Sequence, residues 1–137
     1  MRTIKEIIIH CSATLEGRNY TVSDIDHWHK ARGFNMIGYH YVIYLDGTVH
    51  EGRPVSLPGA HCKGHNEHSI GICYIGGYDA DTFEPKDTRT PQQRKAMLEL
   101  IKKLKKRYPG VTIHGHNEYS DKACPCFNVS TQLCTGH

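Results

Sequence analysis

Ile4-Lys5-Glu6-Ile7-Ile8-Ile9-His10 is the stretch on which the fold turns. Three consecutive isoleucines in a short β-branched run predict a buried strand that closes at a histidine. Working outward, Tyr39-His40-Tyr41-Val42-Ile43-Tyr44 predicts a second strand. Asp46-Gly47 turns it back as a hairpin into Thr48-Val49-His50-Glu51. Ile70-Gly71-Ile72-Cys73-Tyr74-Ile75 reads as another buried strand, closed by Gly76-Gly77, and Val111-Thr112-Ile113 as a short one.

Helices are predicted between these strands. Thr21 is an N-cap and Gly33 a stop; between them Ile25, Trp28 and His29 or Arg32 share a face, which packs Trp28 against the core. Thr90 caps a second helix with Pro91 at its first position, running to about Tyr108 with Met97, Ile101, Leu104 and Tyr108 on one stripe. Its last turns carry Lys102, Lys103, Lys105, Lys106 and Arg107, where cations suit the helix dipole and form a solvated face. Residues 127–133 suggest a final short helix. Strands and helices alternate around one hairpin, which predicts an α/β fold: a single domain over residues 1–137, with a mixed central sheet flanked by helices.

Composition narrows the function. The chain has 137 residues, 38% hydrophobic and 23% charged, an ordinary globular mixture rather than a disordered or fibrous one. Its longest aliphatic run is far too short to span a bilayer, so membrane insertion is not expected. The opening Met1-Arg2-Thr3-Ile4-Lys5-Glu6 lacks an apolar stretch, so no secretory leader is expected and synthesis in the cytoplasm is. The net charge of +3 mildly favours an anionic partner surface and says little about fold. There are 11 histidines and six cysteines, at 11, 62, 73, 124, 126 and 134. Without an oxidising context or paired CxxC spacing, most of these thiols are expected to be reduced, with one or two on a metal.

Polar residues unsuited to a core gather at strand ends. His10 closes the first strand, Tyr39 opens the second, and His116 and Cys124 lie in the loop after the last. Two imidazoles and a thiolate suit tetrahedral Zn²⁺ and leave one position for water, the layout of a hydrolytic site. Spacing alone does not bring the three together. Residues 52–69 form a long loop rich in Gly, Pro, His and Asn, and loops of that length are usually functional.

His10-Cys11-Ser12-Ala13-Thr14 after an aliphatic strand, Gly38-Tyr39-His40-Tyr41, Asp46-Gly47-Thr48-Val49, Gly52-Arg53, Ser69-Ile70-Gly71-Ile72-Cys73 and Lys122-Ala123-Cys124-Pro125 occur in one order. Together they resemble the type 2 N-acetylmuramoyl-L-alanine amidases, especially the short bacteriophage amidase-type lysozymes, whose fold peptidoglycan recognition proteins share. The resemblance runs from about Ile4 to Phe127. It implies one zinc ion per chain held by His10, His116 and Cys124, with Tyr39 and Lys122 as catalytic residues. It implies hydrolysis of the amide joining N-acetylmuramic acid to L-alanine in cell-wall peptidoglycan. The partner it implies is peptidoglycan or a muropeptide, with no nucleic acid and no defined protein partner, and the chain would act on the wall after release or delivery. His61 and Asn66, in the segment that lines the peptidoglycan groove of the family, are the expected substrate contacts.

In that reading Lys122 would face the developing oxyanion, and Tyr39 would hydrogen-bond the water or the tetrahedral intermediate. Strand alternation turns the Cys11 sulfur away from His10, making it a buried thiol; Cys73 is core, and His40 is structural on the face opposite Tyr39. Cys126, where many phage-type relatives have a small polar residue, could rival Cys124 as ligand or pair with Cys134 or Cys62. His114 could compete with His116, and Glu118 could orient His116 or be a surface carboxylate. The alternatives are a non-catalytic peptidoglycan-binding module on the same scaffold, which would typically lack the ligand cysteine, and a nucleic-acid-binding protein, which would interleave its basic residues with exposed aromatics.

Overall fold

β1 (Glu6–Cys11) lies between β5 (Ser69–Tyr74) and β7 (Thr112–Gly115), parallel to both. The structure, a computed structural model, describes residues 2–133. β5 pairs in parallel with β3 (Tyr41–Ile43), which turns back antiparallel into β4 (Val49–Glu51), giving the order β4-β3-β5-β1-β7. The mixed sheet flanked by helices that the isoleucine run predicts is therefore present.

Alternation along β1 divides the molecule into two layers. Ile7, Ile9 and Cys11 face one side with Ile70, Ile72 and Tyr74, where Met97, Ile101 and Leu104 of α2 (Pro91–Arg107) cover them. Each fully buried aliphatic side chain there contributes about 1.5–3 kcal/mol. The other side carries a smaller cluster, Ile25, Ile37, Val42 and Ile75, against α1 (Val22–Ala31), with Trp28 packed on it. His10 projects to this second side, the one opposite α2.

Both long helices begin as read. Thr21 and Asp24 form a reciprocal capping box, as do Thr90 and Gln93. Gln93 also does something its polarity conceals: fully buried, its amide donates to the carbonyls of Ile43 (3.2 Å) and Ile75 (3.0 Å). It therefore ties α2 to the ends of β3 and β5. Arg89, also buried, forks onto Asp87, donates to Gln132 Oε1 at 2.6 Å and lies 3.5 Å over the Phe127 ring. That contact anchors α3 (Val129–Gln132), the final short helix.

Three features differ from the sequence reading. Tyr39 precedes β3 rather than opening it, although its carbonyl still accepts the Arg53 N–H of the returning chain. β7 runs to Gly115, so His114 is a strand residue and not a loop residue. A two-residue parallel ladder, β2 (Thr14–Leu15) with β6 (Gly77–Tyr78), was not expected. Such short pairings carry no periodic signal. Cys134, a proposed partner of Cys126, lies outside the described residues.

Candidate active site and metal centre

The parallel register pairs Ile9 with Gly115. The next residues, His10 and His116, therefore emerge side by side at the carboxyl ends of adjacent strands, with ring centroids 4.6 Å apart. That end of a parallel sheet is where ligand sites form in open α/β folds. The loop after β7 returns to bring Cys124 Sγ to 3.9 Å from His10 Nδ1. Ligand atoms of His10, His116 and Cys124 all lie within 4.8 Å of one another, and they form the only such group of three among the described residues.

The donor set can be tested for metal fit. A tetrahedral zinc site with ordinary bond lengths has an N···S edge of about 3.6 Å, close to the separation found. Nδ1 of His10 faces the thiol, which leaves Nε2 to bear the proton. Nε2 lies 2.8 Å from His61 Nδ1, and His61 Nε2 lies 3.2 Å from Ser69 Oγ. His10 thus donates to His61, which donates to Ser69, fixing the tautomer a metal ligand requires. Cys124 Sγ accepts the Cys11 N–H at 3.2 Å and lies 3.9 Å from the Cys11 carbonyl. Burial holds His10 well below the ordinary imidazole range, with His61 and His116 adding to it. Burial and then the Lys122 ammonium lower His116. Both imidazoles are therefore neutral near pH 7, the ligating form.

Glycine makes this arrangement possible. A Cβ at Gly71 would sit 2.7 Å from the His61 ring, and one at Gly59 would sit 2.4 Å from it. The His61 ring occupies the space those two side chains would fill. Burial drives His61 down to about 3, and the nearby His40 contributes.

Two clefts flank the three ligands. One of about 190 Å³ is lined by Tyr39, His116, Lys122 and Cys124, with Trp28, His29 and Arg32 of α1 and its end. The other, about 460 Å³, adds His61, Lys63, Asn66 and Ser120. Among the described residues, no carboxylate lines either one. The Tyr39 ring centroid lies 5.0 Å from that of His10, and burial pushes its hydroxyl well above the usual phenol range, so it stays protonated. A larger cleft of about 810 Å³, between β4 and α2, has neither histidine nor cysteine.

The predicted residues thus sort themselves. His10, His116 and Cys124 converge, and Tyr39 and Lys122 share their cleft. His61 and Asn66 reach the cleft wall but turn their polar atoms inward. His61 backs His10, and Asn66 Oδ1 accepts the backbone N–H groups of His61 and Cys62. His40 is structural, accepting the Gly71 N–H. Glu118 serves His114 (2.9 Å) and the Gly115 N–H rather than His116, and His114 faces Glu6, away from the ligands. Cys126 is not in the ligand group; its sulfur meets Cys11, which faces the main core as alternation requires. Cys73 is buried.

Sequence reasoning missed two supports. His29 Nδ1 accepts the Gly38 N–H at 2.9 Å and its ring lies 5.3 Å from Tyr39, so α1 fixes the segment that presents Tyr39. Ser69 ends the hydrogen-bond chain from His10. The signal available for the His61 pocket was Gly71, since glycine inside a strand marks a close approach.

A mixed sheet flanked by helices, with its polar site at the carboxyl strand ends, makes this an α/β domain, and the solved structures it superposes on are amidases and peptidoglycan recognition proteins. The chain belongs to the N-acetylmuramoyl-L-alanine amidase family, whose pattern matches residues 1–127. It is 39% identical over 131 residues to the endolysin of Enterobacteria phage K11, covering 96% of this chain and 86% of that one. Its fold superposes on N-acetylmuramoyl-L-alanine amidase LysC from Clostridium intestinale with a TM-score of 0.81 at 28% identity, covering 98% and 88% of the two chains. It also superposes on a structure of tracheal cytotoxin bound to the ectodomains of peptidoglycan recognition proteins LCa and LCx, at 0.75 and 27% identity, covering 91% and 77%.

Proposed function

We propose that this chain, acting as one domain, hydrolyses the amide between the lactyl group of N-acetylmuramic acid and L-alanine in peptidoglycan, with one Zn²⁺ held by His10, His116 and Cys124. The convergence of those three ligand atoms within 4.8 Å, with His116 and Cys124 lining a cleft together with Tyr39 and Lys122, carries the reading. Bound there, zinc would supply Lewis-acid polarisation of the scissile carbonyl and a water acidic enough to attack near neutral pH.

The protein's own residues do the rest. Cys124 contributes a negative charge that offsets part of the metal's. His61 and Ser69 hold the His10 ring in its ligating tautomer. The Lys122 ammonium faces charge that develops on the scissile oxygen, where a partly dry cleft strengthens the interaction. The Tyr39 hydroxyl, kept protonated by burial, donates a hydrogen bond to that oxygen or to the water, and can pass a proton to the leaving L-alanine nitrogen. His61 and Asn66 shape the wall against which the peptide lies. Synthesis in the cytoplasm followed by release to the cell wall completes the reading.

Mass spectrometry of muropeptides after digestion tests it. Free L-alanine amino termini should appear, should vanish with a chelator and should return with added zinc. New reducing sugar ends would make the enzyme a glycosidase. Retention of intact muropeptide without cleavage would make it a binding module.

A further inference from the structure

Cys11 and Cys126 have no part in the reaction above, yet their sulfurs lie 3.9 Å apart. Cys11 follows His10 on β1 and is 4% exposed. Cys126 stands two residues after Cys124, in a turn closed by its own N–H to the Ala123 carbonyl at 2.7 Å. That turn holds Cys126 at φ 71°, a left-handed conformation that non-glycine residues adopt only where the surroundings impose it. Cys126 is half-buried and lines an open cleft with Asn117, Phe127 and Ser130. A small oxidant can therefore reach Cys126, while Cys11 waits behind it. Cys124, by contrast, turns its sulfur to His10 and the Cys11 N–H.

We propose that Cys11 and Cys126 are a disulfide-forming pair that cross-links the two metal-ligand segments. The oxidant is a small-molecule disulfide of the glutathione class. The Cys126 sulfur attacks it, forming a mixed disulfide and releasing one thiol. The Cys11 sulfur then displaces the second thiol from Cys126. Two cysteines lose two hydrogens and two electrons in total, and one small disulfide becomes two thiols. The neighbouring sulfurs, that of Cys124 for Cys11 and that of Cys11 for Cys126, and then burial push both protein thiols up, which slows the exchange without setting its equilibrium. A wall-degrading enzyme leaves the reducing cytoplasm for a setting where such bonds persist. There the cross-link would hold His10 and Cys124 near each other even when the metal is lost.

The zinc-loaded protein incubated with oxidised glutathione tests this directly. Intact mass should fall by two hydrogens, and peptide mapping should join Cys11 to Cys126. Zinc content should be unchanged. The melting temperature should rise by roughly 5–15 °C and return on reduction. Cys126→Ser, with Cys126→Ala as a second variant, should show neither change while keeping basal activity. A bond mapped to Cys124, Cys62 or Cys134, loss of zinc on oxidation, or the same mass change in both Cys126 variants would overturn the assignment. So would a glutathione adduct that never resolves.

Discussion

His61 Nδ1 lies 2.8 Å from His10 Nε2, while His10 turns its other nitrogen to 3.9 Å from Cys124 Sγ. One imidazole is thus oriented by another. Only a neutral His61 can accept the hydrogen bond from His10 Nε2–H, and burial keeps it neutral. His61→Ala should lower zinc affinity by about 10–100-fold, the usual cost of losing a partner behind a ligand. Zinc competition with a chromophoric chelator would measure it. Unchanged affinity would show that His10 needs no such support.

Gly71 leads to the same place by another route. Alanine there puts a methyl 2.7 Å from the His61 ring, and that ring, held from both ends, has little room to yield. Gly71→Ala should cost on the order of 1–3 kcal/mol of stability and weaken zinc binding as His61→Ala does. Denaturant unfolding alongside zinc titration separates the two effects. A variant as stable and as zinc-avid as the parent would refute the packing argument.

Lys122→Ala and Tyr39→Phe should fold, hold zinc and lose activity. Both side chains are assigned to charge that develops in the transition state, so kcat should fall by about 10²–10³ with little change in KM. Tyr39→Phe keeps the ring against His10 and removes only the hydroxyl. Wild-type turnover in both variants, with zinc in place, would leave the chemistry to the metal site alone.

His40 predicts a pH effect on stability. Burial lowers it from 6.5 to about 4, partly offset by the Leu57 carbonyl. The unfolded chain therefore takes up this proton first as pH falls. His40's contribution is complete above about pH 6.5, declines between 6.5 and 4, and is flat below. It amounts to on the order of 3 kcal/mol. His61, His29 and His10 are lowered too and act in the same direction. His40→Gln should flatten the fall in melting temperature between pH 7 and 4.5. An identical pH profile in the variant would assign the acid sensitivity to the other histidines.

The amino-acid sequence by itself determined which segments become buried strands and where the long helices begin. The unbroken isoleucine run of β1 and the all-buried run of β5 mark strands covered on both faces, because a strand with a wet face would alternate with polar residues. Capping residues Thr21 and Thr90 set the helix starts, because a helix's first N–H groups need partners close in sequence. With the family motifs, His10, His116, Cys124, Tyr39 and Lys122 were nameable before any coordinates. Only the tertiary structure decided what surrounds them. Fifty-one residues separate His10 from His61, and 115 separate Cys11 from Cys126. No local pattern encodes such contacts, since they arise where strand register and loop return happen to meet. The same holds for Glu118, which orients His114 rather than His116 because β7 extends two residues further than its β-branched run. Side-chain type announces what a residue can bind; only the packed chain decides which partner it finds.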